Sequence, residues 1–203
     1  MKNFIYLFAL TFLNISLAQN LKIPTDTIVL TSHKTVIKGK EINYTAETGM
    51  QPVWNSEGKV IASLFYTYYK RSLNKDSKNI SERPILISFN GGPGSASVWM
   101  HMAYTGPKIL NVDDEGYPVQ PYGYKTNPYS ILDVADIVFV NPVNTAYSRM
   151  IADENGEFPD KSQFFGINED IAYLSGWINT FISRKNRWES PKYIIGESYG
   201  GTR

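Results

Sequence analysis

Three short apolar runs constrain the fold of this chain more than any other feature. They occupy residues 85–89, 136–140 and 193–195 and are rich in β-branched and aromatic residues. Short continuous runs of this kind are typical of strands that are buried on both faces of a sheet. Before the third run, apolar residues recur at helical spacing from Ile171 to Ile182, with Asn168 as the expected N-cap. Buried strands that alternate with connections and a helix predict an α/β fold.

An antiparallel lead-in is predicted ahead of these strands. Residues 35–71 carry many β-branched and aromatic residues and are divided by turn signals at Gly39-Lys40 and Gly58. The polar stretch 74–83 then predicts a surface loop before the first apolar run.

The composition excludes several classes of protein. Of 203 residues, 42% are hydrophobic and 19% are charged, which is enough apolar material for a core and excludes a disordered chain. Lys and Arg total 20 against 19 Asp and Glu, so the net charge of +1 offers no basic surface for nucleic acid. The absence of cysteine excludes disulfide scaffolds, thiolate metal sites and cysteine nucleophiles. No pattern in the sequence indicates a metal or another cofactor.

The first 18 residues have the pattern of a signal peptide. Lys2 precedes an apolar run from Phe4 to Leu13, and small residues follow up to Ala18. The run is shorter than the ~20 residues that a membrane-spanning helix needs, and Asn14 interrupts it. We therefore expect residues 1–18 to be cleaved after Ala18 and the protein to be exported to the periplasm or the medium. The mature chain is expected to have no membrane attachment.

A serine between two glycines follows the third apolar run. Gly196, Ser198 and Gly200 form a Gly-x-Ser-x-Gly pattern directly after a predicted strand, which is typical of a nucleophile elbow. At such an elbow the serine hydroxyl projects above the sheet, and only glycines at the flanks let strand and helix approach closely. A serine of this kind needs an imidazole to accept its proton and an acid to orient the imidazole.

A second glycine-rich turn follows the first apolar run. Residues 90–95 read Asn-Gly-Gly-Pro-Gly-Ser, and glycines there let backbone N–H groups point into a pocket. This suits an oxyanion hole formed jointly with the N–H of Tyr199, the residue after the candidate nucleophile. A phosphate-binding loop is the weaker alternative because no Gly-Lys-Ser/Thr follows, and a plain structural turn remains open.

Together the two turns resemble the serine carboxypeptidases, the α/β-hydrolase peptidase family (S10) that includes carboxypeptidase Y and cathepsin A. Residues 90–95 and 196–201 carry the resemblance most strongly, and it extends over about residues 35–203. Further segments look like the cysteine-free bacterial branch of that family: 97–102, 127–133, 142–148 and 186–192. The resemblance implies that residues 19–203 are the N-terminal part of an α/β-hydrolase domain.

The resemblance also implies roles by position. Ser198 would be the acylating nucleophile, and the backbone N–H groups of Gly92 and Tyr199 would stabilise the oxyanion. The side chains of Asn90 and Glu197, with the backbone of Gly91, would bind the C-terminal carboxylate of a peptide or protein substrate. A protonated Glu197 can donate a hydrogen bond to that carboxylate, whereas an ionised one repels it, so such an enzyme would work better in acid.

Three positions depart from the family pattern. Ser88 stands where many members have Trp, and Tyr104 stands where many eukaryotic members have Glu. Without that second carboxyl group the acid preference is less firmly expected. Ala146 replaces a usual Gly, which raises a question about the shape of its loop because Ala resists positive φ.

The rest of a catalytic triad is not evident in these residues. In α/β-hydrolases the acid and the histidine follow the serine along the chain. The two histidines, His33 and His101, both precede Ser198, and Asp133 and Asp136 are expected to cap or pair locally. We therefore expect this to be the truncated N-terminal part of an exported serine carboxypeptidase whose Asp and His lie beyond Arg203. Another serine hydrolase or acyltransferase of the same fold, or a non-catalytic truncated product, remains open; the oligomeric state is not predicted.

Overall fold

The computed structural model describes residues 24–72 and 82–203. The predicted signal peptide and most of the predicted loop at 74–83 lie outside the described residues. No helix within the described residues is long and apolar enough to cross a bilayer.

The predicted antiparallel lead-in is confirmed. It consists of β1 (Thr27–Ile37), β2 (Lys40–Trp54) and β3 (Val60–Arg71), each paired antiparallel with the next. The tight turn between β1 and β2 places Lys38 and Gly39 at φ values of 49° and 76°. Glycine adopts such a conformation without strain, which explains why the chain reverses there.

The parallel part of the sheet is built from the predicted apolar runs. It comprises β4 (Ile85–Phe89), β7 (Asp136–Val140) and β9 (Lys192–Gly196), and the order across the sheet is β1-β2-β3-β7-β4-β9. β4 pairs in parallel with both β7 and β9, while β7 pairs antiparallel with β3. Every residue of β4 and β7 is buried, as their continuous apolar sequences predict. The carboxyl ends of β4 and β9 meet at one edge of the sheet.

The third apolar run is a strand, but the expectation that it is buried is wrong. Tyr193 and Ile194 are 58% and 60% exposed. β9 is the last strand in the sheet order and pairs only with β4 among the described residues. An apolar run therefore predicted the strand correctly and its burial incorrectly, because burial depends on which neighbours cover it.

Short elements connect these strands. The remaining strands pair in small ladders: β5 (Lys108–Leu110) with β6 (Tyr124–Thr126), and β8 (Arg149–Met150) with β3. Four short helical turns complete the described residues: a π-helical turn at Met100–Thr105 and 3₁₀ turns at Ile131–Asp133, Lys161–Gln163 and Ser198–Gly201.

The predicted helix, α1 (Ile167–Arg184), covers one face of the sheet. It buries Trp177 and Phe181, whose rings stack at 5.2 Å and pack edge-on against Tyr66 of β3. Its N-cap is Gly166 and not Asn168, which lies inside the first turn. Gly166 has no side chain to cap the helix, but glycine is itself a favoured N-cap residue, and the carboxylate of Glu169 lies so close to Gly166 that a Cβ there would clash with it.

A buried ionic network lies at the amino ends of the parallel strands. Asp136 is fully buried; its carboxylate accepts hydrogen bonds from Arg83 Nε at 2.7 Å, from Arg187 Nη1 at 2.6 Å and from the backbone N–H of Arg71 at 3.0 Å. Arg187 is 1% exposed and also donates to the hydroxyl of Tyr68. The expectation that Asp136 pairs locally is therefore wrong, because the start of β7 lies beside segments that are distant in sequence.

Asp133 also bonds to a distant residue. Its Oδ2 accepts from Lys38 Nζ at 2.7 Å, across a sequence separation of 95 residues. The expected local pairing is wrong here too, since the turn after β1 packs against the turn before β7.

One histidine, His101, is partly buried within the turn at Met100–Thr105. His101 stacks on Phe139 at 4.3 Å between ring centroids, and its Nε2 lies 2.7 Å from the hydroxyl of Tyr69. Burial lowers the pKa of His101 to about 4 because the apolar surroundings disfavour the imidazolium.

We expect His101 to make the protein less stable in acid. The pKa of His101 is about 6.5 when unfolded and about 4 when folded, so the unfolded state binds more protons between these values. The contribution of neutral His101 is fully present above about pH 6.5, falls as the pH drops, and is lost by about pH 4, a change of about 3 kcal/mol. Urea unfolding of the wild-type protein and of His101→Gln at pH 7.5 and 4.5 would measure it. The variant should lose about 2–3 kcal/mol less on acidification, and an equal loss in both proteins would contradict this assignment.

Candidate active site

Ser198 has the strained backbone of a residue at a sharp turn. β9 ends at Gly196, Glu197 is still extended, and Ser198 has a φ of 55°, after which the chain enters the 3₁₀ turn Ser198–Gly201. A non-glycine residue in this left-handed region costs about 1–3 kcal/mol and persists only where surrounding contacts impose it. The serine side chain is exposed above the carboxyl end of β9. The geometry agrees with the predicted elbow.

The glycines around Ser198 are required by close backbone contacts. A Cβ at Gly196 would lie 2.0 Å from the carbonyl oxygen of Gly200, and a Cβ at Gly200 would lie 2.9 Å from the carbonyl oxygen of Phe89. Neither position has room for a side chain. Because of these close contacts, the elbow packs tightly against the end of β4. This packing restricts the backbone of Ser198 to its positive φ.

The second glycine-rich turn packs directly on the elbow. A Cβ at Gly91 would lie 2.5 Å from the backbone nitrogen of Tyr199 and 2.7 Å from the carbonyl oxygen of Glu197. The next residue, Gly92, has a φ of 112°, which strains any residue with a side chain. In the turn after Ser198, the first N–H group that donates a backbone hydrogen bond is that of Gly200, to the carbonyl of Glu197. The N–H of Tyr199 comes one residue before it, at the start of the turn. The structure thus brings together the turns that contain Gly92 and Tyr199.

Asn90 and Glu197, the two side chains predicted to bind a carboxylate, are hydrogen-bonded to each other. Asn90 is 1% exposed; its Oδ1 accepts from the N–H of Met100 at 3.0 Å, and its Nδ2 donates to Glu197 Oε2 at 3.2 Å. Because Oδ1 must accept from Met100, the amide group can only present its NH₂ to Glu197. Glu197 is exposed, so its carboxyl group lies at the surface beside Ser198. The buried amide group of Asn90 lies behind it and donates to it.

A largely apolar cavity of about 520 Å³ adjoins both turns. Pro93 and Gly94 of the first turn and Tyr199 of the elbow form part of its wall. The rest of the wall comes from the loop after β7, from the start of α1 and from Arg203 after the elbow: Pro142, Val143, Phe164, Phe165, Gly166, Ile167, Asp170, Tyr173 and Arg203. The chemistry of this wall suits an apolar group more than a charged one.

Sequence reasoning missed an ion pair beside this cavity. Arg203 Nε lies 2.9 Å from Asp170 Oδ2, and the two side chains are only 3% and 7% exposed. Asp170 stands in the first turn of α1, where an acidic residue also complements the helix dipole. This local role is enough to explain an acidic residue at position 170. No sequence pattern indicates that Asp170 pairs with Arg203, 33 positions later.

Both histidines are engaged away from Ser198. His33 lies on β1, where Nε2 is 2.7 Å from the hydroxyl of Thr31 and the ring stacks on Tyr44. His101 packs against Phe139 and Tyr69, as described above. Neither imidazole is placed to accept a proton from Ser198 within the described residues.

The three departures from the family pattern differ in their surroundings. Ser88 is fully buried in β4, and Tyr104 is 61% exposed on the turn Met100–Thr105. Ala146 has a φ of 46°, so the loop keeps a left-handed residue at the position where glycine would be unstrained. The substitution at Ala146 therefore leaves the positive φ in place and adds strain to it.

Comparison with known proteins gives the family directly. The family model for serine carboxypeptidase matches residues 38–203. Serine carboxypeptidase-like 36 of Arabidopsis thaliana is 32% identical over 144 residues, which is 70% of this chain and 26% of that protein. Serine carboxypeptidase-like 31 of the same plant is 25% identical over 164 residues, 79% of this chain and 29% of that protein.

A fungal relative gives a similar match. The pheromone-processing carboxypeptidase KEX1 of Saccharomyces cerevisiae is 29% identical over 147 residues, 69% of this chain and 18% of that protein. The chain thus spans less than a third of the length of these relatives. The α/β-hydrolase fold of the family agrees with the mixed sheet and the elbow found here. The chain belongs to the serine carboxypeptidase family.

Proposed function

We propose that this chain is the nucleophile-bearing part of an exported serine-type carboxypeptidase, which removes residues from the C-terminus of peptides or proteins. The observation that carries the proposal is the strained Ser198 beside the Asn90–Glu197 pair. A serine hydrolase needs the first feature, and only an enzyme that binds a free carboxylate needs the second. Family membership supports both assignments.

Ser198 would attack the carbonyl carbon of the last peptide bond. The backbone N–H groups of Gly92 and Tyr199 would stabilise the negative charge that develops on the carbonyl oxygen, since they lie on two turns that pack against each other. The C-terminal residue would leave as the amine, and the rest of the peptide would remain as an ester on Ser198. Water would then hydrolyse this acyl-enzyme.

Asn90, Gly91 and Glu197 would hold the carboxylate of the leaving residue. Asn90 is buried, so Glu197 would make the more direct contact and Asn90 would hold the Glu197 carboxyl group in place. A donor at position 197 can hydrogen-bond a carboxylate, whereas a negative charge there would repel it.

A proton acceptor for Ser198 would come from outside these 203 residues. His33 and His101 are both engaged elsewhere, and the Asp136 carboxylate lies at the opposite end of the parallel strands. We propose that a further segment of the same protein supplies the Asp and the His. On this proposal the chain is a truncated part of the protein, and these residues alone do not complete the reaction.

Export and origin are further parts of the proposal. The signal-peptide pattern of residues 1–18 supports export to the periplasm or the medium, and weighing the exported protein would show whether cleavage follows Ala18. The cysteine-free composition and the motifs at 127–133 and 186–192 support a place in the bacterial branch of the family.

The decisive experiment compares a peptide with its C-terminal amide as substrates of the complete product of the gene. A hydrogen bond to a charged group contributes about 1.5–3 kcal/mol, so we expect the free acid to be cleaved about 10- to 150-fold faster than the amide in kcat/KM. Glu197→Ala should remove most of that preference. Glu197→Gln keeps the shape and a donor without the charge, so it should retain the preference at neutral pH.

Two results would contradict the proposal. Equal rates for acid and amide would identify another serine hydrolase or acyltransferase that does not bind a carboxylate. Failure of a fluorophosphonate probe to label Ser198 in the complete protein would identify a non-catalytic product.

A further inference from the structure

The side chain of Arg203 connects three parts of the site. Its Nε donates to Asp170 in the first turn of α1 at 2.9 Å, and its Nη1 donates to the backbone carbonyl of Asn90 at 2.6 Å. Its guanidinium carbon lies 4.9 Å from the centre of the Tyr199 ring. At 3% exposure the Arg203 side chain is packed between the helix, the first glycine-rich turn and the elbow.

The backbone carbonyl of Asn90, which accepts from Arg203, lies between the two glycine-rich turns. It lies where β4 ends and the turn that contains Gly91 and Gly92 begins. A Cβ at Gly200 would lie 3.1 Å from this carbonyl oxygen, so the elbow leaves it little room to move. The side chain of the same residue holds Glu197. A contact that holds Asn90 in place therefore also holds the turn that contains Gly91 and Gly92, and it holds the Asn90–Glu197 pair.

We propose that Arg203 is a positioning residue that sets the distance between the N–H groups of Gly92 and Tyr199 by tying Asn90 and Tyr199 to α1 through Asp170. This inference rests on the proposed function. Arg203 touches neither the reacting atoms nor the carboxylate-binding groups of Glu197, and it acts through the backbone of Asn90 and the ring of Tyr199.

The geometry requires arginine rather than any cation. A guanidinium group donates from Nε and Nη1 in two fixed directions and presents a flat face to an aromatic ring. A lysine ammonium is a compact point charge on a flexible stem and cannot make all three contacts at once. Asp170 neutralises the charge, which a buried arginine needs.

The test separates positioning from stability. Arg203→Met alone would leave Asp170 buried without a partner and would destabilise the fold. The double variant Arg203→Met/Asp170→Leu replaces the ion pair by apolar groups, a change that is often neutral or stabilising. Arg203→Lys preserves the charge and tests the geometry. Arg184→Met on the last turn of α1, where Arg184 pairs with Asp26 at the surface, is the matched control.

In the complete protein we expect the double variant to fold and to lose about 10- to 100-fold in kcat on a peptide acid, with a smaller change in KM, because donors to the oxyanion act mainly in the transition state. Arg203→Lys should recover little of this loss. The Arg184→Met control should keep its kcat. An unchanged kcat in the folded double variant would overturn the inference.

A second measurement does not depend on turnover. Hydrogen exchange followed by mass spectrometry should show faster exchange in peptides that cover residues 90–100 and 196–203 of the double variant, with β7 unchanged. If the wild-type protein hydrolyses no peptide, the proposed function fails, and the exchange result still decides the positioning role. Unchanged exchange in both segments would overturn it.

Discussion

Replacing Ser198 by alanine is expected to lower kcat/KM of the complete protein on a peptide acid by about 10⁴- to 10⁶-fold, because no other group can form the acyl-enzyme. The change removes one hydroxyl group from an exposed side chain and keeps the φ of 55°. The unfolding free energy should therefore stay close to that of the wild-type protein. Activity is measured with a peptide acid, and stability by urea unfolding.

Two companion variants make this prediction specific. Ser198→Gly should be equally inactive and more stable than Ser198→Ala by about 0.5–1 kcal/mol, since glycine adopts a positive φ without strain but gives up more chain entropy. Ser175→Ala removes an exposed hydroxyl group from α1, where it bonds the carbonyl of Ile171, and should keep full activity. Substantial turnover by Ser198→Ala would contradict the assignment of the nucleophile.

Replacing Asp136 by alanine is expected to lower the unfolding free energy by about 3–5 kcal/mol. The Asp136 carboxylate pairs with the guanidinium groups of both Arg83 and Arg187, and Arg187 is 1% exposed. Its removal leaves a buried positive charge without a counter-ion and removes the acceptor of the N–H of Arg71. A loss of this size is a large fraction of the 5–15 kcal/mol that is typical of whole domains.

The control for Asp136 is an acidic residue with an exposed partner. Glu41 pairs with Lys34 at 3.2 Å, but both side chains are more than half exposed. Glu41→Ala should change the unfolding free energy by less than about 1 kcal/mol. Urea unfolding of both variants measures the difference. A loss below about 1.5 kcal/mol in Asp136→Ala would show that the network is solvated or replaceable.

Local patterns predicted the elements of the sheet well. The runs at 85–89 and 136–140 became the fully buried strands β4 and β7, and the helical spacing up to Ile182 became α1. Periodicity and β-branched residues act within a few positions, so one sequence is enough to recognise them. Burial of β9 depends on neighbours in space and was predicted wrongly, and the N-cap of α1 is Gly166 instead of the expected Asn168.

The candidate site was predicted unevenly for a similar reason. Its two glycine-rich turns are contiguous motifs, and the structure brings them together at Gly91 and Tyr199. The hydrogen bond between Asn90 and Glu197 spans 107 residues; the family resemblance placed both residues in one site but did not predict this bond. The ion pair between Asp170 and Arg203 belongs to no motif, so sequence reasoning had no signal that could reveal it.

The location of the Asp136 network has a consequence for how independently the two ends of this sheet can vary. The network joins the amino ends of the parallel strands, while Ser198 and the glycine-rich turns lie at their carboxyl ends. Between the two ends lie β4 and β7, which are short and fully buried and separate the network from the candidate site. Substitutions in the loops around Ser198 therefore leave every group of the Asp136 network in place, so the chemistry of the candidate site can change without the loss of this source of stability.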